Sequence, residues 1–448
     1  MVVIAPPAMA EDQSIQMAHS AIDIPLNLDA ALRTAFRNRP ELKQATVRIN
    51  KARAGIDEAK GRFLPSVDLA VKLKRNHIYD EFTGIDVEAE FQGHLIPVSI
   101  TPVSPDYTST ASLDMTWNLY SGGENDALLD AARTHYQIER TKAKLVRQDI
   151  FVEVLKAYFE VVKKELDFGQ SETVLQVAQQ RSRIAQKRLD DGEIAEIDWQ
   201  QEQVQLREAE FSSAQARRAF NASVRDYLTA LGFGVSQLSV DDLRSLHLSG
   251  SEDLGVVKTL IKHHLGALKS QLDIRSSDLQ LAREFKRQVI AEYQPKVDLF
   301  FSFTGRGRSS PGDNSDVFSS FKRSDAVFGV SMQWNLFSGQ QTTARDAQAV
   351  NDIEIATLAL DEERRKQGVV RRQASAKVAE QRDRVMMERE KLELRDAKAK
   401  LSAQRLAMDL IPVLQHQEAV LDLKQSEVDT QKALIDLIIV TVDARLSP

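Results

Sequence analysis

Between Gly123 and Leu189 the chain has no proline, and Gly169 is its only interior glycine. Phe151, Leu155, Tyr158, Phe159 and Val162 mark an apolar stripe at helical spacing. A helix over that run is about 100 Å long at 1.5 Å per residue. A compact domain cannot contain such a rod, so it is a coiled-coil-like projection or a tube wall. A tip over about 190–197 turns the chain, and a return helix runs over about 198–231. The plan recurs, with a long helix over about 339–408, a tip at 409–412 and a return helix to about 442.

Each long helix follows the same words. Trp117-Asn118-Leu119-Tyr120-Ser121-Gly122 returns as Trp334-Asn335-Leu336-Phe337-Ser338-Gly339. Ser121 with Glu124, and Ser338 with Gln341, have capping-box spacing, in which a hydroxyl caps the first amides and the residue three later reaches back. Trp117 and Trp334 lie 217 residues apart, and so do Arg188 and Arg405. Pro65 and Pro295, each followed by Val-Asp-Leu one residue on, are 230 apart. The chain is therefore a tandem repeat with rods of constant length. The difference falls in the strand-to-strand loop, thirteen residues longer in the first copy.

Alternation marks four strands, over about 65–74, 107–120, 295–304 and 325–337. In the first, Val67, Leu69, Val71 and Leu73 face one way and Asp68, Lys72 and Lys74 the other. The residues between the first two strands carry Gly84, Gly93, Pro97, Pro102 and Pro105 and read as a loop. Short helices precede the first strand, one opened by Asp29 and one by Pro40. Glycine and serine mark a linker over 232–255, and 254–293 reads as helical. The repeats thus span 11–231 and 256–448.

Composition removes alternatives. A net charge of -6 gives no support to a nucleic-acid role. With no cysteine there is no disulfide, thiolate metal site, cysteine nucleophile or lipid anchor on an N-terminal cysteine. The longest apolar run, Ala433 to Val442, is short and contains Asp436, so a transmembrane helix is not expected. Met1 to Ala10 reads as the remnant of a secretory signal, with a disordered N-terminus as the alternative. His263-His264 has no carboxylate at metal spacing in the sequence, so no metal or cofactor is expected there. No catalytic constellation stands out, and an enzyme is not expected.

Four strands with one greasy face each fit a soluble sheet packed on helices, or a barrel crossing a bilayer. Strands of about ten residues suit a tilted crossing. Four cannot close a barrel alone, and open edges are forbidden in lipid, so several chains must share one barrel. Three chains supply twelve strands, an allowed even number.

The chain resembles the TolC-like outer-membrane factors over essentially its whole length. The resemblance rests on Leu28-Asp29-Ala30-Ala31-Leu32, Arg39-Pro40-Glu41-Leu42, the two Pro-x-Val-Asp-Leu strands, the paired switches, and Gly192 six residues before Asp198. It implies a mostly α, α+β chain. Homotrimers of such chains form a twelve-stranded barrel in the bacterial outer membrane and an α-helical tunnel in the periplasm. It also implies a periplasmic adaptor and an inner-membrane transporter, ABC or proton-driven, as partners. The lack of an acylatable N-terminal cysteine resembles the protein-secreting, type I members more than the lipid-anchored drug-efflux members, and drug efflux is the alternative. A soluble periplasmic coiled-coil scaffold is the rival reading.

By the same resemblance, Asp198 and Glu418 line a periplasmic gate, with Gln415 where a carboxylate is usual. The alternative is that they are solvated helix residues. Gly192, Glu193, Ile194, Asp409, Leu410 and Ile411 are candidate adaptor contacts, or pack within their own tips. Asp409 stands where a glycine is usual. Trp117, Trp334, Ser121 and Ser338 mark the level where barrel becomes tunnel, and the indoles suit the lipid edge.

Overall fold

In a computed structural model the described residues are 27–75, 85–91, 93–100, 107–234, 254–265, 270–309 and 321–446. The signal-like segment and nearly all of the 232–255 linker lie outside them. In chain order the elements are α1 (Leu28–Asn38), α2 (Pro40–Gly61), β1 (Ser66–Arg75), β2 (Ile85–Phe91), β3 (His94–Ile100), β4 (Tyr107–Tyr120), α3 (Glu124–Asp190) and α4 (Glu196–Ala230). There follow α5 (Leu254–Leu265), α6 (Gln271–Ala291), β5 (Lys296–Ser309), β6 (Phe321–Gln333), α7 (Gln341–Ala407) and α8 (Val413–Leu446). The chain is mostly helical with one four-stranded antiparallel sheet, as the alternation and the unbroken runs require. The long helices α3 and α7 are each 67 residues.

Two compact units emerge: 1–45 with 143–270 and 366–448, and 46–142 with 271–365. In the first, Leu28 and Leu32 of α1 and Phe151, Leu155, Tyr158 and Phe159 of α3 are fully buried or nearly so. They pack with Val224, Tyr227 and Leu228 of α4, Val257 and Ile261 of α5, and Ile435, Ile438 and Val442 of α8. The stripe legible on α3 is the heart of this core. Tyr158 meets Tyr227 edge-on, ring centres 6.1 Å apart. Burial pushes the Tyr227 hydroxyl up, and Tyr158 adds to the shift. Asn27, not Asp29, caps α1, accepting from Ala30 N at 2.8 Å, which leaves the Asp29 carboxylate for another partner. Arg39 forms a fork with both Glu153 oxygens, at 2.9 and 2.7 Å, and reaches the Thr229 and Ala230 carbonyls at the end of α4.

The second unit holds the sheet, in the order β1-β4-β5-β6. Its register puts Val67 opposite Met115, Leu69 opposite Leu113, Phe301 opposite both Met115 and Phe328, and Leu299 opposite Val330. These residues form one continuous apolar face. Leu69, Phe328 and Val330 on it are 73, 82 and 62% exposed, an inside-out arrangement for a water-soluble sheet. The opposite face carries Asp68 across from Asp114, whose carboxylate accepts from Ser112 and Ser302.

Three features depart from expectation. β2 and β3 pair as a hairpin, Ile85 with Ile100, where the glycines and prolines read as loop. β6 stops at Gln333 instead of reaching Phe337, because its partner β5 begins opposite at Lys296. The helical stretch from Leu254 to Tyr293 is two helices, α5 and α6, with 266–269 outside the described residues.

Candidate functional site: the two strand-to-helix switches and the two tips

The switches are built alike. The Trp117 indole donates to the Phe63 carbonyl at 2.9 Å, and the Trp334 indole to the Tyr293 carbonyl at 3.0 Å. Each ring thus ties the strand that precedes a long helix to the end of the short helix before it. Both rings stay half in the open, 38 and 53% exposed. Phe63, Tyr120, Tyr293 and Phe337 are exposed around them. An apolar sheet face ending in a girdle of exposed aromatics is the pattern of a barrel wall at the lipid edge.

After each tryptophan the chain passes through two left-handed residues, Gly122 and Gly123 at φ +67° and +89°, and Gly339 and Gln340 at +63° and +66°. The serines do cap, Ser121 Oγ accepting from Asn125 N at 3.1 Å and Ser338 Oγ from Thr342 N at 3.3 Å. The reciprocal half of the capping box is replaced in the first copy, where the Glu124 carboxylate pairs with Lys296. Asn118 links the strands, donating to Asp298 at 2.7 Å and accepting from Asn125 at 3.0 Å.

At the tips the two copies turn identically. Gly192 N bonds Leu189 O and Glu193 N bonds Arg188 O, while Asp409 N bonds Leu406 O and Leu410 N bonds Arg405 O. This is the paired bonding of a Schellman cap, which needs a left-handed residue. Gly192 supplies it at φ +72° and Asp409 at +55°. Aspartate tolerates that region better than most residues, so the unusual Asp409 preserves the turn. Glu193 pairs with Arg188 at 3.2 Å. Leu410 is 67% exposed, while Ile194 and Ile411 are half-buried.

Asp198 sits one turn into α4, accepting from Ala195 N at 3.4 Å. Glu418 on α8 pairs with Arg181 of α3 at 2.8 Å, and Gln415 is exposed one turn before it. The Arg181 pair ends a ladder that also joins Lys156 to Asp443 at 2.7 Å, Lys163 to Asp436 at 3.3 Å, and Asp167 to Lys432. In every pair the two residue numbers add to 599, the mark of one antiparallel register. Burial pulls the Lys163 ammonium down, but its bonds to Glu160 and Asp436 win and hold it above its ordinary value. Burial raises the Asp149 carboxyl.

The model of the family described as outer membrane efflux protein matches residues 31–232, which is most of the first repeat. The fold of the whole chain is that of solved outer-membrane channels. VceC of Vibrio cholerae aligns at a TM-score of 0.68 and 16% identity, covering 94% of each chain. The outer membrane channel CmeC of Campylobacter jejuni aligns at 0.69 and 12%, covering 94% of this chain and 85% of its own. The open state of the Neisseria gonorrhoeae MtrE channel aligns at 0.68 and 12%, covering 94% and 88%. The chain thus has the fold of outer-membrane channels, and its residues 31–232 resemble the outer membrane efflux proteins. No curated protein sequence matches it.

No helix among the described residues is long and apolar enough to cross a membrane. Two features of this structure escaped sequence reasoning. The ladder needs the return helix of the other repeat as its partner. The carboxylate missing beside His263-His264 is Asp29, whose oxygen lies 2.7 Å from His264 Nε2, 235 residues away. Arg33 binds the same carboxylate, and the group ties α1 to α5.

Proposed function

We propose that three copies of this chain close one twelve-stranded barrel and serve as the exit duct of a tripartite export system. The observation that carries the reading is a four-stranded sheet with one exposed apolar face and two outer strands, β1 and β6, that run antiparallel to each other. A second copy's β6 can therefore continue the sheet beside β1 in the same antiparallel sense, and only closure removes the open edges that lipid forbids. Two copies give eight strands, a barrel whose interior side chains fill, whereas three give room for cargo.

The test is the mass of the detergent-purified protein and its conductance in planar bilayers. A trimer that conducts is expected, and a detergent-independent monomer or dimer without conductance overturns the reading.

Within the duct, Asp198 and Glu418 line the periplasmic constriction as rings of three carboxylates, with Gln415 beside Glu418, and favour cations. The exposure of Asp198, Gln415 and Glu418 near the start of the two return helices supports this. The double change Asp198→Asn with Glu418→Gln is expected to lower cation-over-anion selectivity in single-channel records several-fold. Unchanged selectivity removes both residues from the constriction. Gly192, Glu193, Ile194, Asp409, Leu410 and Ile411 present the two tips to the adaptor. Trp117, Trp334, Ser121 and Ser338 stand at the lower lipid edge.

A further inference from the structure

Where α1 meets α5, three metal-binding side chains converge. His264 continues the buried stripe of α5, seven residues after Val257 and three after Ile261, and is only 8% exposed. His263 precedes it on the same turn and stays in the open. Asp29 arrives from the first turn of α1, released from capping because Asn27 accepts from the Ala30 amide. Its carboxylate lies 2.7 Å from His264 Nε2. One ligand atom from each of Asp29, His263 and His264 lies within 4.8 Å of the other two. Among the described residues no other three histidine or acidic side chains converge in this way.

The bond between His264 and Asp29 accounts for two of the three. It leaves His263, whose ring stands edge-on to that of His264 with centres 4.7 Å apart. The group is held from behind. Phe36 packs 5.6 Å from the His264 ring, and the Arg147 guanidinium stands 4.3 Å over Phe36. Arg33 takes the second oxygen of Asp29, which leaves the first turned to the histidines. Ligands fixed by such outer partners lose little freedom on binding a metal.

Two imidazole nitrogens with one carboxylate oxygen suit a first-row divalent ion such as Zn2+, whereas Ca2+ and Mg2+ prefer oxygen throughout. Tetrahedral Zn2+, with bonds of about 2.0–2.2 Å, sets its ligand atoms about 3.4 Å apart. The 2.7 Å pair must open by about 0.7 Å, and the widest separation must close by about 1.4 Å at most, which small side-chain rotations supply. The charge agrees as well. α5 ends at Leu265, and the partial negative charge of a helix C-terminus favours a cation there.

We infer that Asp29, His263 and His264 bind one Zn2+ or similar divalent transition ion per chain, with water in the fourth position. The ion clips the start of α1 to the end of α5, segments 235 residues apart in the chain. The site lies within one copy and does not depend on the duct reading.

The test uses the full-length protein in detergent, without a histidine tag, stripped with EDTA and dialysed. It is titrated with Zn2+ by calorimetry and with Co2+ by visible absorption. One ion per chain is expected, with the intense visible bands of four-coordinate Co2+. Zn2+ at a hundred times its Kd is expected to raise the melting temperature by about 3 °C or more. His264→Ala empties a buried site and destabilises α5 by itself, so the exposed His263 decides. His263→Ala is expected to melt with the metal-free parent and to bind at least tenfold more weakly. His263→Asp, which returns a ligand, is expected to recover Co2+ binding with shifted bands. A parent that binds neither ion overturns the site, and so does binding that is equal in the parent and His263→Ala. A His263→Asp protein that binds no better than His263→Ala overturns it as well.

Discussion

Replacing Gly122 with alanine will unsettle the first switch far more than the same change at Gly339 unsettles the second. Both glycines hold left-handed backbone, where any L side chain costs about 1–2 kcal/mol. They differ in what surrounds them. A Cβ at 122 falls 2.5 Å from Gln294 Cβ and 2.8 Å from the Ala291 carbonyl oxygen, whereas one at 339 has nothing within 4 Å. The carbonyl is backbone at the end of α6 and cannot swing aside, so the helix end must move. Overpacking of this kind adds about 1–3 kcal/mol. The expected loss is therefore about 2–5 kcal/mol at Gly122 and about 1–2 kcal/mol at Gly339. Urea unfolding of the detergent-solubilised variants, followed by circular dichroism, reads the difference. Equal losses at the two positions contradict it.

Phe151→Ala will cost about 3–5 kcal/mol, the range for emptying a fully buried aromatic site. Phe151 is 0% exposed in a core fed by five helices. Its neighbours cannot collapse inward, because Arg39, Glu153 and the carbonyls of Thr229 and Ala230 pin α3 to the end of α4. Phe285, half-exposed on α6, is the control, and Phe285→Ala should stay within about 0.5 kcal/mol of the parent. A mild Phe151→Ala, unfolding at the parent's urea midpoint, would show that this cluster does not carry the first unit's stability.

Much of the fold was legible because its signals are local. β1, β4 and β5 alternate along most of their length, the two 67-residue helices contain no proline, and the duplicated tryptophan switch marks the repeat. What stayed hidden depends on partners. The end of β6 is set by where β5 begins. The β2–β3 hairpin carries Pro97, which has no N–H to donate and so reads as a break. Asp29 looked like a helix opener until His264 claimed its carboxylate. At the tips the reverse held: Asp409 read as a departure from glycine, yet its backbone takes up the glycine's conformation. The tips' turn geometry is thus common to both repeats, while their side chains diverge.

The ladder between α3 and α8 also limits how the tips can move. Each exposed rung is worth at most about 1 kcal/mol, so the ladder adds little strength. Its signs matter more. Lysine stands on α3 at 156 and 163, then aspartate at 167, and α8 answers with Asp443, Asp436 and Lys432. If α8 slid one helical turn one way, Asp167 would face Asp436. If it slid one turn the other way, Lys163 would face Lys432. Either step sets like charges against each other, so the ladder favours this register over a slip of one turn. The register leaves bending and splaying as the movements open to the pair, and Arg181 with Glu418 is the rung nearest the tip.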